Sequence, residues 1–184
     1  MSIAASCHAF VGRRLLCSGP LAEVAVAARS AVQGEPILVF DDATGEVIDL
    51  DLSGSEAEVS ARYWDDGDVA ESRGRGRPKL GVVGREVTLL PRHWDWLAEQ
   101  PGGASVALRK LIDAARKQSE AADRARAARE RAYRFMHALG GDLPDFEGAS
   151  RALFAGDRKR LEVCLAAWPE DVSAYVRTLM GEGG

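Results

Sequence analysis

The sequence has 184 residues, 46% of them hydrophobic and 28% charged, with a formal net charge of −4. That is room for one medium domain or two small ones with a core of their own, and no apolar run reaches the length of a membrane span. Three cysteines without C-x-x-C spacing exclude a disulfide framework and fit reduced thiols in a cytosol.

The charge is unevenly spread. Residues 1–66 carry 4 basic and 11 acidic groups, residues 67–117 carry 10 and 6, and residues 118–184 carry 10 and 11. The local sums are therefore −7, +4 and −1. A polyanion responds to the local patch, not to the total.

The N-terminus, MSIAASCHAFVGRR, puts its charges after a weak apolar stretch, the reverse of a secretory signal, so a cytoplasmic protein is expected. HAFVGRRLLC supplies one strand or a short hairpin. SGPLAEVAVAARSAVQG then reads as a helix, with Leu21, Val24, Ala25, Ala28 and Val32 in one stripe and Gly34 as its end. PILVF is a short strand, DDATGE a turn, and EVIDLDL alternates, with Ile48, Leu50 and Leu52 on one face. SEAEVSARYW opens on a capping box, Ser55 to Glu58.

Residues 65–84, DDGDVAESRGRGRPKLGVVG, are glycine-rich and lack a periodic apolar face, which places a linker there. REVTLLPRHWDWLAEQPGGASVALRKLIDAARK then gives a β-prone run, a helix opening at Pro91, a break at PGG, and a second helix capped by Ser105. Trp94 is expected in the core, and Trp96, on another side of the first helix, against a second domain or subunit. From Leu108 the second helix joins KQSEAADRARAARERAYRFMHAL in a run of about 35 residues, breaking at Gly140 and Gly141. Leu108, Leu111, Ala115, Ala122, Ala125, Ala132, Met136 and Leu139 approximate a heptad seam with gaps. A dimer seam and a solvated helix with one packed face both fit it. Asp145, Asp157 and Pro169 mark three shorter helices. Their apolar sets include Phe154, Leu161, Leu165 and Trp168, then Val172, Tyr175, Val176 and Leu179, and Cys164 is expected in the core.

These elements make the fold class α+β: a small N-terminal α/β unit followed by a mainly helical part. The expected division is an acidic domain at 1–64, a basic linker at 65–84, a strand-helix-helix element at 85–117 and a helical region at 118–184. Three stretches, ILVFDDATGEVIDLDL, GRPKLGVVGREVTLLPRHWDWLAEQPGGASVALRKLI and RAYRFMHALGGDLPDFEGASRALFAGD, resemble a bacterial protein family of unknown function over nearly the full chain.

The order of VTLLP, Trp94 three residues past Pro91, then GGAS and Leu108-Arg109 is similar to the ribbon-helix-helix DNA-binding superfamily over residues 84–116. That resemblance implies a homodimer whose strands pair across a two-fold axis and enter the major groove, with a phosphate at the start of the second helix. If Leu90 packs inward, the outward strand set is Arg85, Val87 and Leu89; in the other register it is Glu86, Thr88 and Leu90. RGRGRPK, with Arg73, Arg75, Arg77 and Lys79, resembles an AT-hook, which lays arginines along a narrow minor groove.

From residue 73 to 92 six cations face one acid, Glu86. The candidate DNA contacts are Arg73, Arg75, Arg77, Lys79, Arg85, Thr88, Arg92 and Ser105. The chain lacks G-x-S-x-G, a phosphate loop and H-E-x-x-H spacing, so no enzyme, no metal and no cofactor are expected. The expected partners are DNA and a second copy, with a role as a transcriptional regulator or nucleoid-associated factor. A non-enzymatic protein-interaction or dimerisation module is the alternative.

Overall fold

The computed structural model describes residues 6–31, 34–64 and 83–181. Arg73, Arg75, Arg77, Lys79 and all but the last two residues of the expected linker lie outside them. The fold is α+β. It divides into two compact units, one formed by Met1–Val69 with Ala125–Gly184 and the other by Ala70–Arg124.

The first unit begins with a hairpin, β1 (Ser6–Val11) and β2 (Arg14–Pro20). Gly12 turns it at φ 57°, and a register shift opposite Ala9 and Phe10 leaves Leu16 of β2 as the extra residue. Helix α1 (Leu21–Ala31) follows at once. Strand β3 (Ile37–Asp41) pairs antiparallel with β1, and β4 (Val47–Ile48) with β3, giving the order β2-β1-β3-β4.

The alternation of EVIDLDL predicts a longer last strand than the two residues of β4. The chain leaves the sheet after Ile48 because its backbone is taken by α2 (Glu56–Tyr63). The Tyr63 hydroxyl accepts from Asp51 N at 2.6 Å, and Arg62 donates to Asp51 O and Ser53 O. The capping box of α2 is complete: Ser55 Oγ accepts from Glu58 N, and Ser55 N donates to the Glu58 carboxylate.

Side-chain alternation gives the sheet two different faces. Cys7, Ala9 and Val39 pack with Val24 of α1. Phe10 and Phe40 on the opposite face pack into the main core, with the end of the long helix α4 (Gly103–Gly140) and with α5 (Phe146–Ala155), α6 (Arg158–Leu165) and α7 (Glu170–Leu179). Phe10, Phe40, Phe135 and Tyr175 form its aromatic centre, with the Phe40 and Phe135 rings edge-on at 4.8 Å. Truncating one such buried ring to Ala costs about 3–5 kcal/mol. Leu161, Cys164, Leu165 and Trp168 are buried as expected, whereas Phe154 is half exposed and lies against Tyr133.

The turn between β3 and β4 is pressed onto α4. Gly45 sits at φ 69°, and a Cβ there would run into the Arg131 carbonyl. Only glycine meets both demands. Arg134 donates to Thr44 O at 2.7 Å and reaches Glu46, holding the same turn.

The second unit contains α3 (Pro91–Ala98) and residues 103–124 of α4. Pro91 occupies the first turn of α3, and Leu90 precedes it with extended backbone. Residues 85–90, expected as a strand, form no ladder among the described residues. A strand needs a paired neighbour, and among the described residues none pairs with them. Gly102 and Gly103 have positive φ and turn the chain into α4 three residues earlier than a cap at Ser105 would. Ser105 therefore lies inside the first turn and is not the cap. None of the described helices is long and apolar enough to cross a membrane.

Candidate nucleic-acid interface

The described sequence-selected residues share one property: Arg85, Thr88, Arg92 and Ser105 are all exposed. Arg85 and Thr88 stand in the extended segment before α3. Arg92 is in the first turn of α3. Ser105 is in the first turn of α4, its carbonyl accepting from Arg109 Nε at 3.1 Å. Arg73, Arg75, Arg77 and Lys79, the AT-hook-like stretch, belong to the undescribed segment.

Several arginines of the first unit are held in ion pairs. In the first unit Arg13 pairs with Asp142, Arg62 with Asp51, Arg160 with Asp145 and Arg177 with Glu162. Between residues 83 and 117, Arg85, Arg92, Arg109, Lys110, Arg116 and Lys117 are exposed, and among the described residues none of them is in an ion pair. Exposed cations can replace the counterions condensed on a phosphate backbone.

Trp94, expected in the core, is 42% exposed, and Trp96 is 49% exposed. Leu97 is the buried residue of α3. The second unit's only other buried apolar residue among those described is Ala107.

The first unit holds a polar cluster that sequence patterns do not reveal. His8 Nδ1 lies 2.8 Å from Asp42 Oδ1, and the Tyr175 hydroxyl donates to the same oxygen at 2.6 Å. The His8 and Tyr175 rings are 4.3 Å apart. Burial acts to raise the Asp42 carboxyl, but hydrogen bonds from His8, Tyr175 and Ser6 outweigh it and hold the group below the usual carboxylate value. Burial, then the bond to Asp42, pushes the Tyr175 phenol well up.

Cys7, the next residue, points to the other face of β1, and burial followed by the charges of Asp41 and Asp42 pushes its thiol up to about 11. It is protonated at neutral pH, so His8 and Asp42 do not have an activated thiolate from this residue. The cluster ties β1, the β3–β4 turn and α7 together. His8 and Asp42 are 34 residues apart and Asp42 and Tyr175 133, and no motif spacing links them.

A cleft of about 510 Å³ is lined by Val11, Arg13, Arg14, Glu35, Pro169, Glu170 and Asp171. Its charges are of both signs, and one of them, Asp171, is occupied in accepting from Leu15 N at 2.8 Å. It carries no single-sign field for an ionic ligand.

Residues 6–180 match the family described as "Uncharacterized protein conserved in bacteria (DUF2239)". The chain belongs to this family. The match covers both units, so the sheet, the exposed α3 and the long α4 are parts of one family architecture. No curated protein and no solved structure matches the chain.

Proposed function

We propose that this bacterial family member is a non-enzymatic, homodimeric DNA-binding protein of the cytoplasm, acting as a transcriptional regulator or nucleoid-associated factor. The observation that carries the reading is the set of six exposed cations at residues 83–117, none in an ion pair among the described residues, following the four of RGRGRPK. In the first unit, by contrast, Arg13, Arg62, Arg160 and Arg177 are held by carboxylates.

Each segment has a role. Arg73, Arg75, Arg77 and Lys79 hold the minor groove or the backbone of an A·T-rich duplex. Arg85 and Thr88 supply strand contacts; they alternate, so one regular strand presents only one of them to bases. Arg92, and the helix start around Ser105, take phosphates.

A second reading has its own support. The half-exposed Trp94 and Trp96 are residue types that concentrate at protein interfaces, which favours an interaction or dimerisation module without DNA. A gel shift with an A·T-rich duplex at low salt separates the two. DNA binding requires a shifted band that weakens strongly when Arg73, Arg75 and Arg77 are all replaced by Ala. No band at low salt leaves the interaction module.

A further inference from the structure

Helix α4 has two unlike sides where it runs through the second unit. At 100° per residue, Leu108, Leu111, Ile112, Ala115 and Ala122 fall within an arc of roughly 100°. Arg109, Lys110, Arg116, Lys117 and Arg124 fall within an opposite arc of roughly 120°, together with Asp113 and Glu120. Every residue from Leu111 to Gln118 is exposed, Ile112 to 55%. Leu111, Ile112, Ala115 and Ala122 of the apolar arc are therefore uncovered, with Leu108 half-buried, and so is the cationic arc.

The uncovered apolar surface is large for so small a unit. Of the twelve large apolar side chains exposed among the described residues, seven lie between Val83 and Ile112. The exposed parts of Val87, Leu90, Trp94, Trp96, Leu111 and Ile112 amount to on the order of 600 Å², against the ~800 Å² each partner gives to a stable interface. Among the described apolar residues of this unit only Leu97 and Ala107 are buried, a small core for its length.

We infer that the apolar arc Leu108–Leu111–Ile112–Ala115–Ala122 of α4 is the seam on which a second copy of this chain docks, helix against helix, with the Trp-bearing α3 contributing to the same interface. This deepens the homodimer part of the function proposed above and rests on it. Two features select a second helix over a lipid surface. Ala115 and Ala122 give little area to a membrane but let a helix axis approach closely. The area matches what one protein partner supplies. With that arc occupied, the cationic arc of each copy stays on the outside, free for a polyanion.

The test uses the full chain and a charge-neutral double variant, Leu111→Gln with Ile112→Gln. Both side chains are exposed in the single chain, so the fold does not depend on them; an unchanged circular dichroism spectrum checks this. Sedimentation velocity is expected to give wild type at twice the 19.8 kDa of one chain. The double variant is expected to weaken the dimer by about tenfold or more in Kd.

A second variant, Thr88→Pro, removes a backbone donor that strand pairing needs. It is expected to leave at least part of the dimer intact. A wild type that stays a single chain at high concentration overturns the inference. So does a dimer lost in Thr88→Pro but intact in the double variant, or a wild type that binds phosphatidylglycerol vesicles through Leu111 and Ile112. Low-salt DNA binding is measured on the same samples. Single chains that bind DNA reject the seam and leave the DNA reading standing, and dimers that bind none do the reverse.

Discussion

Replacing Tyr175 by Phe removes one hydroxyl and keeps the ring in the aromatic core. The lost bond is the 2.6 Å one to Asp42 Oδ1. A hydrogen bond to a charged acceptor contributes about 1.5–3 kcal/mol. Asp42 keeps its bonds from His8 and Ser6, and its side chain is 24% exposed, so water meets part of the loss. The expected cost is about 1.5–2 kcal/mol, or roughly 3–8 °C in Tm for a protein of this size.

The pH dependence follows from the direction of the Asp42 shift. Its folded carboxyl is held below the ordinary 3.8. Such a group contributes stability that is fully present above the unfolded value and is lost as pH falls through the folded one. The gap between wild type and Tyr175→Phe should hold from neutral pH to about pH 4 and narrow below it, as the carboxylate is protonated in both proteins. Urea unfolding followed by circular dichroism across that range measures it. A difference within about 0.5 kcal/mol at pH 7 would refute a stabilising Tyr175–Asp42 bond, because that is the size of an ordinary surface change. A gap that does not narrow in acid would refute the assignment of the bond to a charged Asp42.

Two other predictions follow from the same unit. Gly45→Ala combines a left-handed backbone with a clash against the Arg131 carbonyl, so it is expected to cost at least about 2 kcal/mol, and Gly141→Ala, which lacks the positive φ, far less; equal denaturation midpoints for the two would contradict the close approach. Cys7, fully buried with its thiol pushed up to about 11, is expected to resist iodoacetamide at pH 8 in the folded protein and to react in urea, whereas rapid labelling of the native chain would place it at the surface.

Local chemistry was legible in the sequence because it is written in neighbouring residues. The capping box at Ser55 and Glu58, the starts at Asp157 and Pro169, and the stop at Gly140 depend on contacts within a few positions. The alternation of Ile48, Leu50 and Leu52 was misleading for the length of β4, since Arg62 and Tyr63, more than ten residues on, take the backbone that a longer strand would use.

The packing of the sheet on α4–α7 was not legible. Phe10 and Phe40 meet Phe135 and Tyr175 across more than ninety residues, and nothing in either segment names the other. The same distance hid the His8–Asp42–Tyr175 cluster. Helical spacing put Trp94 in the core, but the burial of α3 is set by Leu97, and the Trp side stays open in the single chain. Residue type and position alone mark the candidate DNA residues; four are exposed, and four lie outside the described residues.

Binding to a labelled A·T-rich duplex, followed by fluorescence anisotropy from low to moderate salt, tests the central claim most directly. If a dimer brings about ten cations of residues 73–117 to phosphates, log K falls against log salt with a slope near −9. Replacing Arg73, Arg75 and Arg77 by Ala should make that slope several units shallower. No binding at the lowest salt, or a slope near zero, would contradict a DNA-binding role.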